Sequence, residues 1–475
     1  MSSFSVLAGP HGPGPALVVA GREVSWAELA ETVEQVVSDL ESAHVDPATP
    51  IALVGHSDLD TLVRLYALFH RRTPVVLLHP RSPEAEHRGF LEDCGNPSHW
   101  RAEEPLPDGG AEVTGWSRAQ MEQPIEDDEA PMVVVRTSGS SGGPKGVVLS
   151  RRAMWAAAQA SAENLGWQSD DRWLLSLPVA HVGGLSIVTR CLLARRTVVL
   201  EPDTRFDARQ VAKVLEHRRV TLASLVPTTL RRLLNLEGWD LPSHVRALLV
   251  GGAPADPELL RRAAERSWPV LTTYGCTEAA SQIATQRPGT LPNPEEGCGP
   301  PLPGTEVRIE DGAIEVRGPT LFSGYLPPRD STFGPDGYFR TGDLGHLDDA
   351  GRLHVLGRRD AVILSGGENV HPLEVEAVLA GLKGVSEAVV WGVDDSEWGQ
   401  VVAAVLKVEE WRPGPEGVLE PIDGEHLRTA IRDRLAPHQR PRHLVLVSDL
   451  PRTPVGKVDR RVLVEWASPR LERGT

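Results

Sequence analysis

A chain of 475 residues with 40% hydrophobic and 24% charged residues has the composition of a globular protein and the length for more than one hydrophobic core. Its formal charge of −16 argues against a nucleic-acid partner, which asks for a basic face, and no apolar run reaches the ~20 residues of a membrane span. Cys94, Cys191, Cys276 and Cys298 follow no metal-ligand spacing, and so few thiols point to a reducing, cytoplasmic setting rather than a disulfide scaffold; residues 1–15 carry neither a basic nor an apolar leader.

In chain order, a short hairpin turning at Ala20-Gly21 precedes a helix capped by Ser25, with Glu28 three residues on as a capping box. Strands at 51–54 and 74–78 with a helix between them begin an α/β alternation that continues to about residue 275. The stretch Thr137-Ser138-Gly139-Ser140-Ser141-Gly142-Gly143-Pro144-Lys145-Gly146 then lies between two apolar β-branched runs, at 132–135 and 147–149. Four hydroxyls, four glycines and one lysine suit an anion: backbone N–H groups approach closely, hydroxyls donate, and an ammonium adds a point charge. A strand follows rather than a helix, so this is a phosphate cradle of another kind than a Walker A loop; a flexible Gly/Ser hairpin is the bland alternative.

Ser150 caps the next helix, to about residue 165, and a strand at 173–177 breaks into a loop, Pro178-Val179-Ala180-His181-Val182-Gly183-Gly184-Leu185-Ser186. Strands at 222–226 and 247–250 end at Pro227-Thr228-Thr229 and Gly251-Gly252-Ala253-Pro254, and strand ends are where open α/β sheets place ligands. From 297 to 349 short alternating strands with Gly/Pro turns suggest a small barrel or sheet. Gly357-Arg358-Arg359-Asp360 reads as a boundary between an N-terminal domain, 1–357, and a C-terminal α+β domain, 358–475, which carries a surface loop at 409–424. Only five of the 49 basic residues are lysine, and two of these, Lys145 and Lys457, sit in Gly/Pro-rich loops, as expected where a compact ammonium is needed.

The ordered motifs are the phosphate loop, Tyr274-Gly275-Cys276-Thr277-Glu278, Tyr338-Phe339-Arg340-Thr341-Gly342-Asp343, Gly357-Arg358-Arg359-Asp360, Ser365-Gly366-Gly367-Glu368-Asn369-Val370 and Pro451-Arg452-Thr453-Pro454-Val455-Gly456-Lys457. From about residue 16 to 463 the chain resembles the adenylate-forming superfamily of acyl-CoA ligases, adenylation domains and luciferases. Its His181 loop with Arg190, and Tyr274 to Gln282, are most similar to o-succinylbenzoate-CoA ligases of menaquinone biosynthesis. The resemblance implies an α/β fold: a large N-terminal domain of two flanked β-sheets plus a small β-barrel, then a mobile C-terminal lid hinged at Asp360. It implies a reaction in which a carboxylate and ATP give acyl-adenylate and pyrophosphate, after which the CoA thiol displaces AMP.

The residues suit that chemistry, because bringing a carboxylate to a phosphate asks for fixed positive charge and aligned donors. Lys145 with Thr137, Ser138, Gly139, Ser140, Ser141 and Gly142 would hold the β- and γ-phosphates, Thr277 the α-phosphate, and Glu278 a Mg²⁺. Tyr274 and Gly275 with Gly251, Gly252, Ala253 and Pro254 would receive adenine, and Asp343 and Arg358 the ribose; a buried core tyrosine and a simple Asx-turn are the alternatives for Tyr274 and Asp343. Lys457 would bridge substrate carboxylate and α-phosphate, and Ser365, Gly366 and Gly367 would line a pantetheine tunnel. His181, Gly184 and Ser281 would face the acid, an aryl carboxylate; a structural histidine is the alternative for His181. Arg190 is either the partner of a second substrate carboxylate or a surface ion pair. Gly143 and His438-Gln439 depart from the commonest family pattern. Carrier-protein loading is the competing activity, and a homodimer is left open.

Overall fold

The computed structural model describes residues 4–9, 11–100, 128–137, 145–201, 207–329, 332–408, 411–413, 419–421, 424–453 and 458–471. The architecture is α/β, built on two large sheets. The eight-stranded sheet has at its centre the parallel strands Arg172–Leu174, Leu222–Leu225, Ala247–Val250 and Val270–Cys276, and it is extended by the antiparallel strand Ser281–Thr285. The six-stranded sheet runs parallel from Ser98–Trp100 through Ile51–Val54 and Val75–Leu78 to Pro131–Thr137, then antiparallel to Lys145–Ser150 and Gly324–Leu326.

One hydrophobic core joins the inner faces of both sheets with the helices Trp26–Ser42, Leu59–His70, Arg151–Leu165 and Val182–Ala194. Leu59–His70 is buried along nearly its whole length, from Thr61 to Phe69, as a helix held on several sides must be. A second core on the far face of the eight-stranded sheet gathers Leu215, Leu230, Leu233, Leu259 and Trp268 from the helices Ala208–His217, Pro227–Leu234 and Pro257–Glu265 and the chain beyond. Local chemistry sets the helix starts: Ser25 accepts from the Glu28 N–H and Ser150 from the Ala153 N–H, both at 3.1 Å. The expected capping box at Ser25 is only half made, because the Glu28 carboxylate takes the Arg22 guanidinium at 2.8 Å.

Between 297 and 358 a four-stranded antiparallel sheet forms from Glu306–Glu310, Ala313–Arg317, Phe339–Leu347 and Leu353–Arg358. Gly324–Leu326 leaves this group and docks on Lys145–Ser150, which carries a segment from the small sheet to the mouth of the phosphate loop. Past residue 358 a five-stranded sheet centred on Val385–Asp395 and Gly399–Val408 has its own two cores, drawn from residues 363–471. The surface loop expected at 409–424 instead includes two short paired strands, Trp411–Pro413 and Leu419–Pro421.

Candidate active site

The phosphate loop closes a β-hairpin. Thr137 pairs with Lys145 as the last rung of the ladder between Pro131–Thr137 and Lys145–Ser150, so the two residues stand opposite each other at the loop's base. Ser138, Gly139, Ser140, Ser141 and Gly142 lie outside the described residues. The Lys145 ammonium sits 5.1 Å from the centre of the Tyr325 ring. Burial pushes its pKa down, Arg329 adds to that, and Glu278 opposes it, so this is a partly desolvated cation beside a carboxylate.

Glu278 stands on the turn Thr277–Ala279, which joins Val270–Cys276 to Ser281–Thr285. The hairpin is tight enough to require Gly275, because a β-carbon there would lie 1.6 Å from the Ser281 carbonyl oxygen. Ala280 and Ser281 take positive φ values of 51° and 114° to close the turn. The Tyr325 hydroxyl donates to Glu278 Oε1 at 2.9 Å, and the Phe322 N–H to the Glu278 carbonyl at 2.8 Å. Thr277 therefore emerges next to a carboxylate whose backbone and side chain are both held.

Tyr274 and Asp343 meet. The phenol donates to Asp343 Oδ2 at 2.6 Å, and Arg358 Nη1 approaches Asp343 Oδ1 at 3.4 Å. Burial raises the Asp343 pKa, and the bonds from Tyr274 and Arg358 work against that rise and favour the carboxylate. Tyr274 is 9% exposed, so its body is packed as the core-tyrosine alternative has it, while its hydroxyl holds Asp343. Gly251, at the end of Ala247–Val250, backs onto Thr273, where a β-carbon would come within 2.8 Å of the Thr273 carbonyl oxygen; Gly252, Ala253 and Pro254 are exposed beside it.

His181 precedes the helix Val182–Ala194, and its ring lies 5.0 Å from that of His79. Gly184 is obligatory, since a β-carbon would fall 2.2 Å from the Pro178 carbonyl oxygen. One helical turn past Val182, Ser186 lies 3.5 Å from the Ser281 hydroxyl, which ties this helix to the Glu278 hairpin. A further turn along the same face is Arg190, 3% exposed, with its guanidinium 5.6 Å from the Trp173 ring centre. Its Nε and Nη2 have no hydrogen-bond partner among the described residues. Burial pushes its pKa down to about 10. Arg190 is therefore not the surface ion pair that was one of its two expected roles.

Residues matching an AMP-binding enzyme family run from 8 to 326, and those matching the AMP-binding enzyme C-terminal domain from 374 to 457. The chain belongs to the AMP-binding enzyme family. A 2-succinylbenzoate–CoA ligase of Listeria monocytogenes is 34% identical over 464 residues, covering 95% of this chain and 96% of that protein. A Bacillus pumilus protein of the same description is 33% identical, covering 94% of each chain. Among solved structures, the o-succinylbenzoate CoA synthetase of Bacillus subtilis with its acyl-adenylate intermediate is 30% identical, with a TM-score of 0.80 over 94% of each chain. The same synthetase with ATP and magnesium ion has a TM-score of 0.79.

In this AMP-binding enzyme the C-terminal candidates divide. Ser365 is 3% exposed, Gly366 and Gly367 have φ of 61° and 86°, and Gly366 lies against the Trp398 ring, where a β-carbon would come within 2.6 Å. Asp360 accepts from Arg358 Nε at 3.2 Å, beside Asp343. Lys457 lies outside the described residues. The feet of its loop are pinned by a bridge between Arg452 and Val458 and by Arg452 on Glu387 at 2.5 Å. Sequence reasoning missed Tyr325, Trp173 and His79. The Gly324-Tyr325 pair gave a weak cue, since glycine beside an aromatic marks a strand that passes close to another backbone.

Proposed function

We propose that this chain is an AMP-forming ligase that activates 2-succinylbenzoate with ATP and Mg²⁺ and passes the acyl group to coenzyme A, in the cytoplasm, in menaquinone biosynthesis. The observation that carries the reading is Arg190: a guanidinium 3% exposed, with Nε and Nη2 lacking a partner among the described residues, on the helix that touches the Glu278 hairpin. An uncompensated buried charge is costly, and a second carboxylate on the substrate offsets that cost in a way a monoacid does not. The relatives described as 2-succinylbenzoate–CoA ligases supply the matching acid.

In the first step a carboxylate oxygen of the acid attacks the α-phosphorus and the bond to pyrophosphate breaks. Lys145 and Thr137 would neutralise and orient the departing phosphates, and Thr277 would donate to the α-phosphate. Glu278 would hold Mg²⁺, and its half-buried carboxylate beside Lys145 fits an ion that takes its other ligands from phosphate oxygens; bound there, the ion neutralises phosphate charge. Asp343, oriented by Tyr274, accepts from the ribose hydroxyls. In the second step the CoA thiol attacks the acyl carbon and AMP leaves. We assign residues 1–357 to the N-terminal domain and 358–475 to a lid that turns about Asp360, bringing Lys457 into the first step and Ser365, Gly366 and Gly367 into the second.

Arg190→Met tests the acid assignment. It keeps the apolar stem over Trp173 and deletes the fork, so KM for 2-succinylbenzoate should rise about ten- to a hundredfold, while benzoate-like monoacids change little. A parallel loss for both acids, or a wild type that does not prefer the diacid, would return Arg190 to a structural role. Tyr274→Phe should raise KM for ATP about three- to tenfold through a loosened Asp343, with KM for the acid unchanged. An unaltered ATP KM would mean that the bond from Tyr274 serves folding alone.

A further inference from the structure

The helix and loop that carry Arg190 and His181 are absorbed by the proposed reaction, but one residue that joins two charged groups of the site has no role in it. Tyr325 lies on Gly324–Leu326, the strand that crosses from the small sheet to pair with Lys145–Ser150, Tyr325 opposite Val147. Its hydroxyl donates to Glu278 Oε1 at 2.9 Å. The face of its ring takes the Lys145 ammonium at 5.1 Å and the Arg329 guanidinium at 5.9 Å. Its ring is braced in turn by Phe322, with centroids 4.7 Å apart in an edge-to-face contact, and Phe322 is 2% exposed.

We propose that Tyr325 is the positioning residue that sets the Glu278 carboxylate for the divalent cation and the Lys145 ammonium for the phosphates, from one side chain. A carboxylate on a tight turn rotates about its last side-chain bonds, and an O–H donor on one oxygen fixes that rotation and directs the other oxygen toward the cation. The electron-rich ring face holds an ammonium that makes no ion pair among the described residues, so its charge stays available to an anion. Phe322 supplies the same hairpin with a second anchor, its N–H on the Glu278 carbonyl at 2.8 Å, so the short 322–325 segment holds the turn at backbone and side chain together. Two separate elements of the site, the phosphate-loop base and the Glu278 turn, are thereby kept in register by a strand that belongs to neither.

The inference rests on the ligase reading, and its test separates the two. Mg²⁺ is titrated by calorimetry into full-length protein saturated with a non-hydrolysable ATP analogue, for the wild type, Tyr325→Phe and Tyr325→Leu, with melting temperatures alongside. Tyr325→Phe keeps the ring and loses only the donor: Mg²⁺ affinity should fall about tenfold, as for other outer partners of a metal ligand, with the analogue's affinity at saturating Mg²⁺ and the melting temperature unchanged. Tyr325→Leu should show the same loss for Mg²⁺ and, in addition, weaker analogue binding at saturating Mg²⁺, because the ring facing Lys145 is gone. Equal Mg²⁺ affinity in wild type and Tyr325→Phe would overturn the role of Tyr325 and leave the ligase reading standing. A wild type that takes up no Mg²⁺ with the nucleotide would overturn both.

Discussion

Alanine in place of Lys457 should lower adenylate formation at least about a hundredfold while thioester formation from supplied acyl-adenylate stays close to wild type. If Lys457 meets both the attacking carboxylate and the α-phosphate, as proposed, removing it from a dry site costs about 3 kcal/mol or more of transition-state stabilisation. The loss falls on one half-reaction because Lys457 sits on a loop whose ends are fixed to the C-terminal sheet by the Arg452–Val458 bridge and the Arg452–Glu387 pair. On the proposed turn of that unit about Asp360, the lysine would leave with it. The two half-reactions are separated by measuring pyrophosphate release from ATP and acid, and CoA consumption from pre-made adenylate. Equal losses in both would place Lys457 at a position used throughout the cycle and remove the reason for a turning lid.

Gly275→Ala should be nearly as damaging, for a different reason. The added methyl group would lie 1.6 Å from the Ser281 carbonyl oxygen, so the strands Val270–Cys276 and Ser281–Thr285 must part. Parting them moves Tyr274 away from Asp343 and Glu278 away from Tyr325, since all four meet at this hairpin. Overpacking against backbone costs about 3 kcal/mol, and the melting temperature should drop by several degrees, with adenylate formation down roughly tenfold or more in whatever protein remains folded. A Gly275→Ala protein with wild-type melting temperature and ATP KM would show that the hairpin is wider in solution than its geometry here requires.

Much of this site was legible from residue order, and the reasons differ by residue. Strands 51–54 and 247–250 were read with the bounds they take, because short β-branched and leucine runs between turn residues have little else to do. Ser25 and Ser150 announced their helices because capping is a local hydrogen bond. Thr137 and Lys145 were read inside one loop, Thr137 to Gly146, and they are the last rung of its hairpin, because the flanking strands run further than their apolar cores. The bond from Tyr274 to Asp343 was not legible, since it joins residues far apart in the chain through a side-chain direction that no periodicity records. Tyr325 was missed for a related reason. Three residues, Gly324–Leu326, are too few to show a strand period, and their partner strand, Lys145–Ser150, lies far back in the chain. The two expected roles of Arg190 could be separated only once its burial was known, because a helical arginine reads the same whether its face turns to solvent or to a core.

The product that the wild-type protein makes from 2-succinylbenzoate, ATP, Mg²⁺ and CoA decides whether it is a diacid–CoA ligase. Mass spectrometry of the reaction should show the mono-CoA thioester of 2-succinylbenzoate, with AMP and pyrophosphate formed in equal amounts to it, and a competing benzoate should not displace the diacid. Adenylate that accumulates without a CoA thioester, or an equal yield of thioester from a simple monoacid, would rule out a 2-succinylbenzoate–CoA ligase.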